Sequence, residues 1–205
     1  MHITYMELYL NNMEKLLLDT NAYIRLAKDI DQLLGATFGE EEYCFFLIKN
    51  HIGEMKSNPR FKTENKFSWL FPKLEKIDSK QLLRLSNIKI SELNDVYEEL
   101  RQTSFELGLN NISRVDLLGL SYCLVLDITI ITDDPDMIKL CEYSEIKILC
   151  ILECLELMLH SDHPFITNEK IIRKIVQHWV NDNDVPKGYY NKYQELFGVK
   201  PPVKS

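Results

Sequence analysis

Two apolar stretches of the chain end in acidic residues, and this pattern constrains the fold more than any other feature. Residues 16–18 are three leucines that run into Asp19, and residues 128–132 run into Asp133 and Asp134. A short apolar stretch bounded by polar residues is typical of a strand buried in a parallel sheet. Open α/β proteins bind ligands at the carboxyl ends of such strands. The pattern therefore predicts an α/β fold with carboxylates at one edge of its sheet.

The rest of the chain alternates between predicted helices and strands. Residues 35–39 are predicted to be a break, residues 43–48 fit either a strand or a buried helix start, and residues 146–150 form a further candidate strand. This alternation predicts a parallel sheet of about four or five strands between helix layers, with residues 16–18 central. The predicted helices cover residues 22–34, 51–56, 70–107, 113–126, 137–142, 152–159 and 168–180.

The sequence changes character near His163. We predict a domain over residues 1–160 and a C-terminal helical extension over residues 161–205 that packs on it. Helical spacing of apolar residues supports this packing. These residues are Ile171, Ile172, Ile175, Val176 and Trp179.

Net charge and hydropathy argue against some classes of protein. The net charge of −7 argues against a simple nucleic-acid-binding domain, which is expected to be basic, but not against an enzyme that gathers carboxylates around a cation. No apolar run reaches the roughly 18 residues that a membrane span needs. The first residues lack the basic start and apolar stretch of a signal peptide. Five cysteines without a CxxC pair indicate reduced thiols, so we expect a cytoplasmic protein that does not bind membranes.

Two further acids belong with those at the strand ends. Glu54 follows residues 43–48 in a predicted helix, and Asp116 begins the helix before the second acidic strand end. Carboxylates brought close together repel each other. Mg²⁺ and Mn²⁺ prefer oxygen ligands and relieve that repulsion. Because such ions activate water and polarise phosphodiesters, an acid cluster without His or Cys ligands favours phosphodiester hydrolysis.

These motifs resemble those of the PIN-domain ribonucleases, which include the VapC-type toxins. Asp19-Thr20-Asn21 matches the family's Asp-(Thr/Ser)-Asn after the first strand. Glu54 in "IKNHIGEMKS" matches the acid in the helix after the second strand, and Asp116 in "SRVDLLGLSYC" matches the acid at a helix start. Thr132-Asp133-Asp134 matches Thr-x-Asp at the end of a later strand, with Asp136 two residues further on. The four motifs stand in family order within residues 15–140.

The resemblance implies a PIN-like three-layer α/β/α fold and a Mg²⁺- or Mn²⁺-dependent endoribonuclease acting on single-stranded RNA. The implied catalytic residues are Asp19, Glu54, Asp116 and Asp134. The implied metal ligands are Asp19, Asp116, Asp134 and Asp136. Thr20, Asn21 and Thr132 are expected to brace the carboxylates, and Arg114 and Lys56 to contact RNA. A toxin role, an inhibitory protein partner of the antitoxin kind and a homodimer are further expectations.

The chain also departs from the family's small toxins. It is longer, the segment between Glu54 and Asp116 is long, and residues beyond Leu159 have no counterpart in the minimal domain. The aromatic second strand leaves its register open, so Glu41 and Glu42 are rivals of Glu54. A PIN-like domain that has lost activity and serves as an RNA-binding or protein-assembly module is the alternative function.

Each acidic motif has a purely structural interpretation as well. Asp19 fits a helix N-cap, Asp116 fits the Ser-x-x-Asp spacing of a capping box, and Glu54 fits an exposed helix position. The acids around Pro135 fit a turn. Two other sites are excluded: a haloacid dehalogenase site needs Asp where Asn21 stands, and a Rossmann nucleotide site needs glycine within residues 19–25.

A basic segment with interleaved aromatic residues also has two interpretations. It is either a surface that binds RNA phosphates and bases or a loop anchored to the core by its rings. The segment contains Lys49, Lys56, Arg60, Phe61, Lys62, Lys66, Phe67, Trp69 and Phe71.

Overall fold

A five-stranded sheet lies at the centre of the protein. The computed structural model describes residues 13–40 and 42–204. The strand order is β2-β3-β1-β4-β5. β1 pairs in parallel with β3 and with β4, β4 pairs in parallel with β5, and β2 is antiparallel to β3. A mostly parallel sheet with residues 16–18 in the central strand is thereby confirmed. The strands are β1 (Lys15–Leu18), β2 (Thr37–Phe38), β3 (Tyr43–Phe46), β4 (Thr129–Ile131) and β5 (Ile148–Leu149).

Ten α-helices lie within the described ranges, and most of them match the predicted helical segments. Short 3-10 turns at Asn65–Phe67 and Ser79–Gln81 separate some of them. The helices are α1 (Thr20–Ala27), α2 (Lys49–Ser57), α3 (Pro59–Thr63), α4 (Leu70–Glu75), α5 (Asn87–Glu106), α6 (Arg114–Leu126), α7 (Pro135–Tyr143), α8 (Ile151–His160), α9 (Glu169–Asn181) and α10 (Tyr189–Phe197).

The segment between α1 and β3 differs from the sequence prediction. α1 ends at Ala27 rather than near Leu34, because Leu34 leaves the helix to bridge Phe45 in the sheet. The predicted break at residues 35–39 contains the short strand β2. A turn with left-handed backbone at Gly39 (φ +77°) and Glu42 (φ +51°) lets β2 pair with β3.

Successive side chains of the central strand point to opposite faces of the sheet and pack in two different hydrophobic cores. Leu16 and Leu18 pack with residues of α1, α8, α9 and α10, whereas Leu17 packs with residues of α5, α6 and α7. Helices therefore cover both faces of the sheet. This explains why β1 is an uninterrupted apolar stretch rather than an alternating one.

The helices of the C-terminal segment share the first of these cores. Ile172, Ile175 and Trp179 of α9 are buried there, and so are Tyr193 and Phe197 of α10. α10 also contacts α8. The division of the chain into residues 1–160 and 161–205 stays a prediction. Among the described residues, no helix has both the length and the apolar character that crossing a membrane requires.

Candidate active site

Asp19 follows the central strand and is the most buried acid of the candidate site, with 3% of its surface exposed. Its carboxylate oxygen Oδ1 accepts a hydrogen bond from the Ala22 amide at 2.5 Å, which makes Asp19 the N-cap of α1. The other oxygen, Oδ2, accepts one from the Thr132 hydroxyl at 2.5 Å. The N-cap interpretation is therefore correct, but the cap uses only one of the two oxygens.

The surroundings of Asp19 disfavour its charged form. Burial is the largest cause and raises the pKa of Asp19 to about 7. Hydrogen bonds from Ala22 and Thr132 oppose this shift, and the negative charges of Asp116 and Asp133 add to it. An ionised Asp19 is thus energetically unfavourable near neutral pH unless a positive charge lies beside it.

Glu54 on α2 is joined to the first turn of α1. The Thr20 hydroxyl donates a hydrogen bond to Glu54 Oε2 at 2.5 Å. Glu54 is half-buried, and burial raises its pKa, with a further increase from the charge of Asp116. The structure therefore places Thr20 as a brace of Glu54 and brings Glu54 within electrostatic range of Asp116.

Asp116 forms the capping box that its spacing suggests. Its Oδ2 accepts a hydrogen bond from the Ser113 amide at 3.0 Å, and its own amide donates to the Ser113 hydroxyl at 3.1 Å. The other oxygen, Oδ1, accepts no hydrogen bond from any described residue. Burial raises the pKa of Asp116, and the charge of Asp134 raises it further. Capping thus leaves one oxygen of Asp116 available for a ligand.

The three acids after β4 have different partners. Asp134 caps α7, because its Oδ1 accepts from the amides of Asp136 and Met137 at 2.9 and 3.0 Å. Asp136 accepts from the Asn111 side chain at 3.0 Å. Asp133 forms an ion pair with Arg25 instead, at 3.0 Å. Asp134 is therefore the acid of this group whose charge acts on Asp116.

Thr132 connects the two strand ends. Its hydroxyl donates to Asp19 and accepts a hydrogen bond from the Asp134 amide at 3.2 Å. The side chain is completely buried. Thr132 thus links the carboxylate of Asp19 to the start of α7 through its hydroxyl.

The remaining predicted residues lie on the surface. Asn21 is exposed in the first turn of α1 and forms no hydrogen bond with a described carboxylate. Lys56 lies two residues after Glu54, and Arg114 lies two residues before Asp116; both side chains are exposed. Since residues two positions apart on a helix do not share a face, exposure alone does not direct either positive charge toward the acids.

Of the two rivals of Glu54, only Glu42 is among the described residues. Glu42 sits in the turn before β3, at the sheet edge opposite Asp19, because β3 and β1 run in parallel. Glu41 lies outside the described residues. The geometry places Glu54, which follows the carboxyl end of β3, on the same side as Asp19.

The basic segment is anchored to the core. Phe61 and Phe67 are buried and meet edge to face with ring centroids 4.9 Å apart. Arg60 and Lys66 both pair with Glu64 and lie over the Phe67 ring. These contacts favour the interpretation of an anchored loop over that of an RNA surface.

The carboxylate oxygens of these acids are the donor type that a hard cation prefers, but the side chains are not close together. Within residues 13–40 and 42–204, no three His, Cys, Asp or Glu side chains stand close enough to hold a metal ion. The same acids nevertheless raise one another's pKa, as shown for Asp19, Glu54 and Asp116. Mg²⁺ commonly takes one or two protein carboxylates and keeps several waters. An all-oxygen donor set of this kind is compatible with such an ion.

Comparison with known proteins leaves the family unassigned. No family model matches the chain, and no curated protein matches it. Two solved structures share part of the fold at low similarity. VapBC2 from Rickettsia felis, bound to a DNA fragment from its promoter, is 18% identical with a TM-score of 0.45; the match covers 66% of this chain and 98% of that one. FitAcB from Neisseria gonorrhoeae is 15% identical with a TM-score of 0.44, over 65% and 96% of the two chains.

Sequence reasoning misses Arg25. The pairing of Arg25 with Asp133 joins residues 108 positions apart, so no local spacing reveals it. The only signal in the sequence is a basic residue on the helix that follows the first acidic motif. The pair explains why Asp133, although adjacent to Asp134, points to a different partner.

Proposed function

We propose that this protein is a Mg²⁺- or Mn²⁺-dependent endoribonuclease that hydrolyses phosphodiester bonds in single-stranded RNA on a PIN-like three-layer α/β/α fold. The observation that carries the proposal is the environment of Asp19. This carboxyl group is buried at the carboxyl end of the central strand. Burial raises its pKa to about 7, and the negative charges of neighbouring acids contribute to that rise. Strongly shifted acids at a strand edge are typical of functional sites.

In this proposal, Asp19 and Asp116 would bind the principal cation, with Asp134 and Asp136 as further ligands. Glu54 holds a second ion or orients the attacking water. Thr132 and Thr20 keep the carboxylates of Asp19 and Glu54 oriented through the hydrogen bonds described above. The bound ion supplies polarisation of the phosphodiester and acidification of water.

The substrate is held by positive charge at the rim of the site. Arg114 and Lys56 are exposed and lie two residues from Asp116 and Glu54 in the sequence, and in this proposal they neutralise RNA phosphates. The proposal also includes a toxin role, an inhibitory partner of the antitoxin kind and a homodimer. These three parts are supported by the resemblance of the sequence motifs alone.

A second candidate function is an inactive PIN-like domain that binds RNA or assembles with proteins. One observation favours it: Asp19, Asp116 and Asp134 all cap helices, and no three acids of the described residues form a ready metal cage. Under this alternative, the acids stabilise helix ends and the charge repulsion has no catalytic purpose.

Cleavage of single-stranded RNA separates the two functions. We expect the wild type to cut RNA with Mg²⁺ or Mn²⁺ and to stop when EDTA is added, because the ion activates the water. Asp19→Asn keeps the size of the side chain but removes the charge, so it should abolish cleavage. Asp95→Asn makes the same chemical change on the exposed surface of α5 and should cut at the wild-type rate. A wild type that does not cut RNA would exclude the nuclease proposal. Equal cleavage by the wild type and Asp19→Asn would instead remove Asp19 from the catalytic residues.

Metal binding is tested separately by thermal unfolding. We expect Mn²⁺ to raise the melting temperature of the wild type by about 5–10 °C, since a ligand at about 100 times its dissociation constant stabilises a fold by about 2.7 kcal/mol. Asp116→Asn should barely respond, and Asp95→Asn should respond as the wild type does. A normal response of Asp116→Asn would remove Asp116 from the ligand set.

A further inference from the structure

The guanidinium of Arg25 joins two loops that are distant in sequence. Its Nη1 donates to Asp133 Oδ2 at 3.0 Å, in the β4–α7 loop (residues 132–134). Its Nη2 donates to Asp184 Oδ1 at 3.1 Å and its Nε to the Asp184 carbonyl at 3.2 Å, in the α9–α10 loop (residues 182–188). The side chains of Arg25 and Asp133 are each only 12% exposed. The planar guanidinium holds its N–H donors in a fixed fork that reaches both loops at once, a geometry that the single nitrogen of a lysine ammonium does not reproduce.

The Arg25 contact fixes Asp133 beside the candidate site. The second oxygen of Asp133, Oδ1, accepts a hydrogen bond from the Ile151 amide at 3.3 Å. Both oxygens of Asp133 are therefore occupied, one by Arg25 and the other by the Ile151 amide. Asp133 is flanked by Thr132 and Asp134, and Thr132 holds the buried carboxylate of Asp19. Movement of Asp133 would be transmitted to both neighbours through the backbone.

The C-terminal segment is attached to α1 around Arg25. The indole Nε1 of Trp179 donates to the Arg25 carbonyl at 3.0 Å. Lys28 pairs with Asp182 at 2.5 Å, and Asp29 lies 2.6 Å from His178 Nδ1. These contacts place Asp184 where it reaches Arg25, so the α9–α10 loop supplies one side of the Arg25 contact and the β4–α7 loop supplies the other.

We propose that Arg25 is a positioning residue of the candidate site and that the α9–α10 loop holds it in place through Asp184. The C-terminal segment then helps to orient Thr132 and Asp134, although it contributes no ligand to the site. The catalytic part of this inference rests on the proposed function. The effect of Arg25 on the positions of Thr132 and Asp134 does not rest on it, because this effect concerns the metal-free protein without substrate.

Two variants break the connection, and one matched variant spares it. Arg25→Lys keeps the positive charge near Asp133 but loses the three-way contact. Asp184→Ala removes the ion pair on the other side. Asp182→Ala removes an ion pair from the same loop, with Lys28, and leaves Arg25 untouched. Comparing the alanine variants separates the Arg25 connection from general attachment of the loop.

The first measurement is NMR of the metal-free protein, which needs no activity. We expect Arg25→Lys and Asp184→Ala to shift the amide resonances of Thr132 and Asp134, and Asp182→Ala to leave them in place. The second measurement is RNA cleavage. The first two variants should lower kcat about tenfold with KM unchanged, because misplaced catalytic groups slow the reacting step more than binding. Asp182→Ala should keep the wild-type kcat.

The outcomes distinguish this inference from the proposed function. If the wild type does not cleave RNA, the proposed function fails, and the NMR comparison alone decides the structural inference. Unshifted resonances in the first two variants, or equal shifts in all three, would overturn it. Shifted resonances with an unchanged kcat in an active wild type would also overturn it, because orientation would then have no consequence. Should Asp184→Ala fail to fold, Asp184→Asn gives the same comparison at constant side-chain size.

Discussion

At the scale of single residues, the carboxyl group of Asp19 caps a helix but is buried where its ionised form is unfavourable. It caps α1 and receives the Thr132 hydroxyl, yet burial keeps its pKa at about 7. An unfolded Asp has a pKa near 3.9, so the folded state binds the proton more tightly than the unfolded state does. Asp19 therefore does not destabilise the fold in acid. The loss of folding stability that it causes grows as the pH rises from about 4 and levels off above about 7.

Asp19→Asn should therefore stabilise the metal-free protein in a pH-dependent way. The amide oxygen can accept from Ala22 as before, and the amide nitrogen can donate to the Thr132 oxygen. We expect the free energy of unfolding to rise by about 1–3 kcal/mol at pH 8 and by much less at pH 4. Urea unfolding of both proteins in EDTA measures the difference, with Asp95→Asn as the control. A gain that is equal at both pH values would show that relief of charge is not its cause.

At the scale of secondary-structure elements, the Thr132 hydroxyl joins β1, β4 and α7. It satisfies the buried carboxylate that follows β1 and the Asp134 amide at the start of α7. A completely buried hydroxyl with two such partners is difficult to replace, because each partner would stay in the interior without a hydrogen bond. The relative position of two strand ends and one helix thus depends on one side chain.

Thr132→Val tests this dependence, since valine has nearly the shape of threonine but no hydroxyl. We expect a loss of about 2–3 kcal/mol in the free energy of unfolding, from one acceptor and one donor left unpaired. Thr63→Val removes a hydroxyl that bonds the Pro59 carbonyl on the exposed surface of α3 and should cost less than about 0.5 kcal/mol. Chemical denaturation of both variants provides the comparison. A similar small loss in both would mean that Thr132 can be dispensed with.

At the scale of the whole molecule, a buried histidine connects the sheet with two helices. His51 of α2 is 1% exposed, and its Nδ1 has no hydrogen-bond partner among the described residues. Gly119 of α6 packs against it, since a Cβ there would lie in van der Waals contact with His51 Nε2, at 3.4 Å. Burial lowers the pKa of His51 to about 3. The folded protein therefore keeps this imidazole neutral.

The protein should lose stability from His51 as the pH falls below about 6.5, the usual pKa of histidine. Between that pH and about 3, only the unfolded state takes up the proton, so the loss is about 1.4 kcal/mol per pH unit. Leucine at position 51 removes this proton uptake without removing a hydrogen bond of Nδ1. The stability of His51→Leu relative to wild type should thus rise by about 2 kcal/mol from pH 6.5 to pH 5. Urea unfolding at the two pH values measures it.

The exposed His160 offers the matched control. His160→Leu makes the same chemical change outside the core and so controls for the loss of a histidine as such. If both variants change the free energy of unfolding equally between the two pH values, burial does not keep His51 neutral in the folded protein.

The sequence by itself determined the parts of this protein that depend on neighbouring residues. The apolar stretches before Asp19 and Asp133 became the parallel strands β1 and β4, because burial of both faces favours uninterrupted apolar residues. The caps formed by Asp19, Ser113 and Asp134 also follow from spacing of two or three residues. In contrast, β2 escaped prediction because its two residues gain stability only from pairing with β3.

The tertiary structure decided which side chains meet across the sheet edge. Thr20 pairs with Glu54 and Arg25 with Asp133, over separations of 34 and 108 residues that carry no periodic signal. The parallel register of β1 and β3 put Glu54, rather than Glu42, on the side of Asp19. Likewise, the raised pKa of Asp19 arises from burial beneath helices contributed by distant parts of the chain. Hydrogen bonds and charges act over a few ångströms, and only folding brings residues so far apart in sequence within that range.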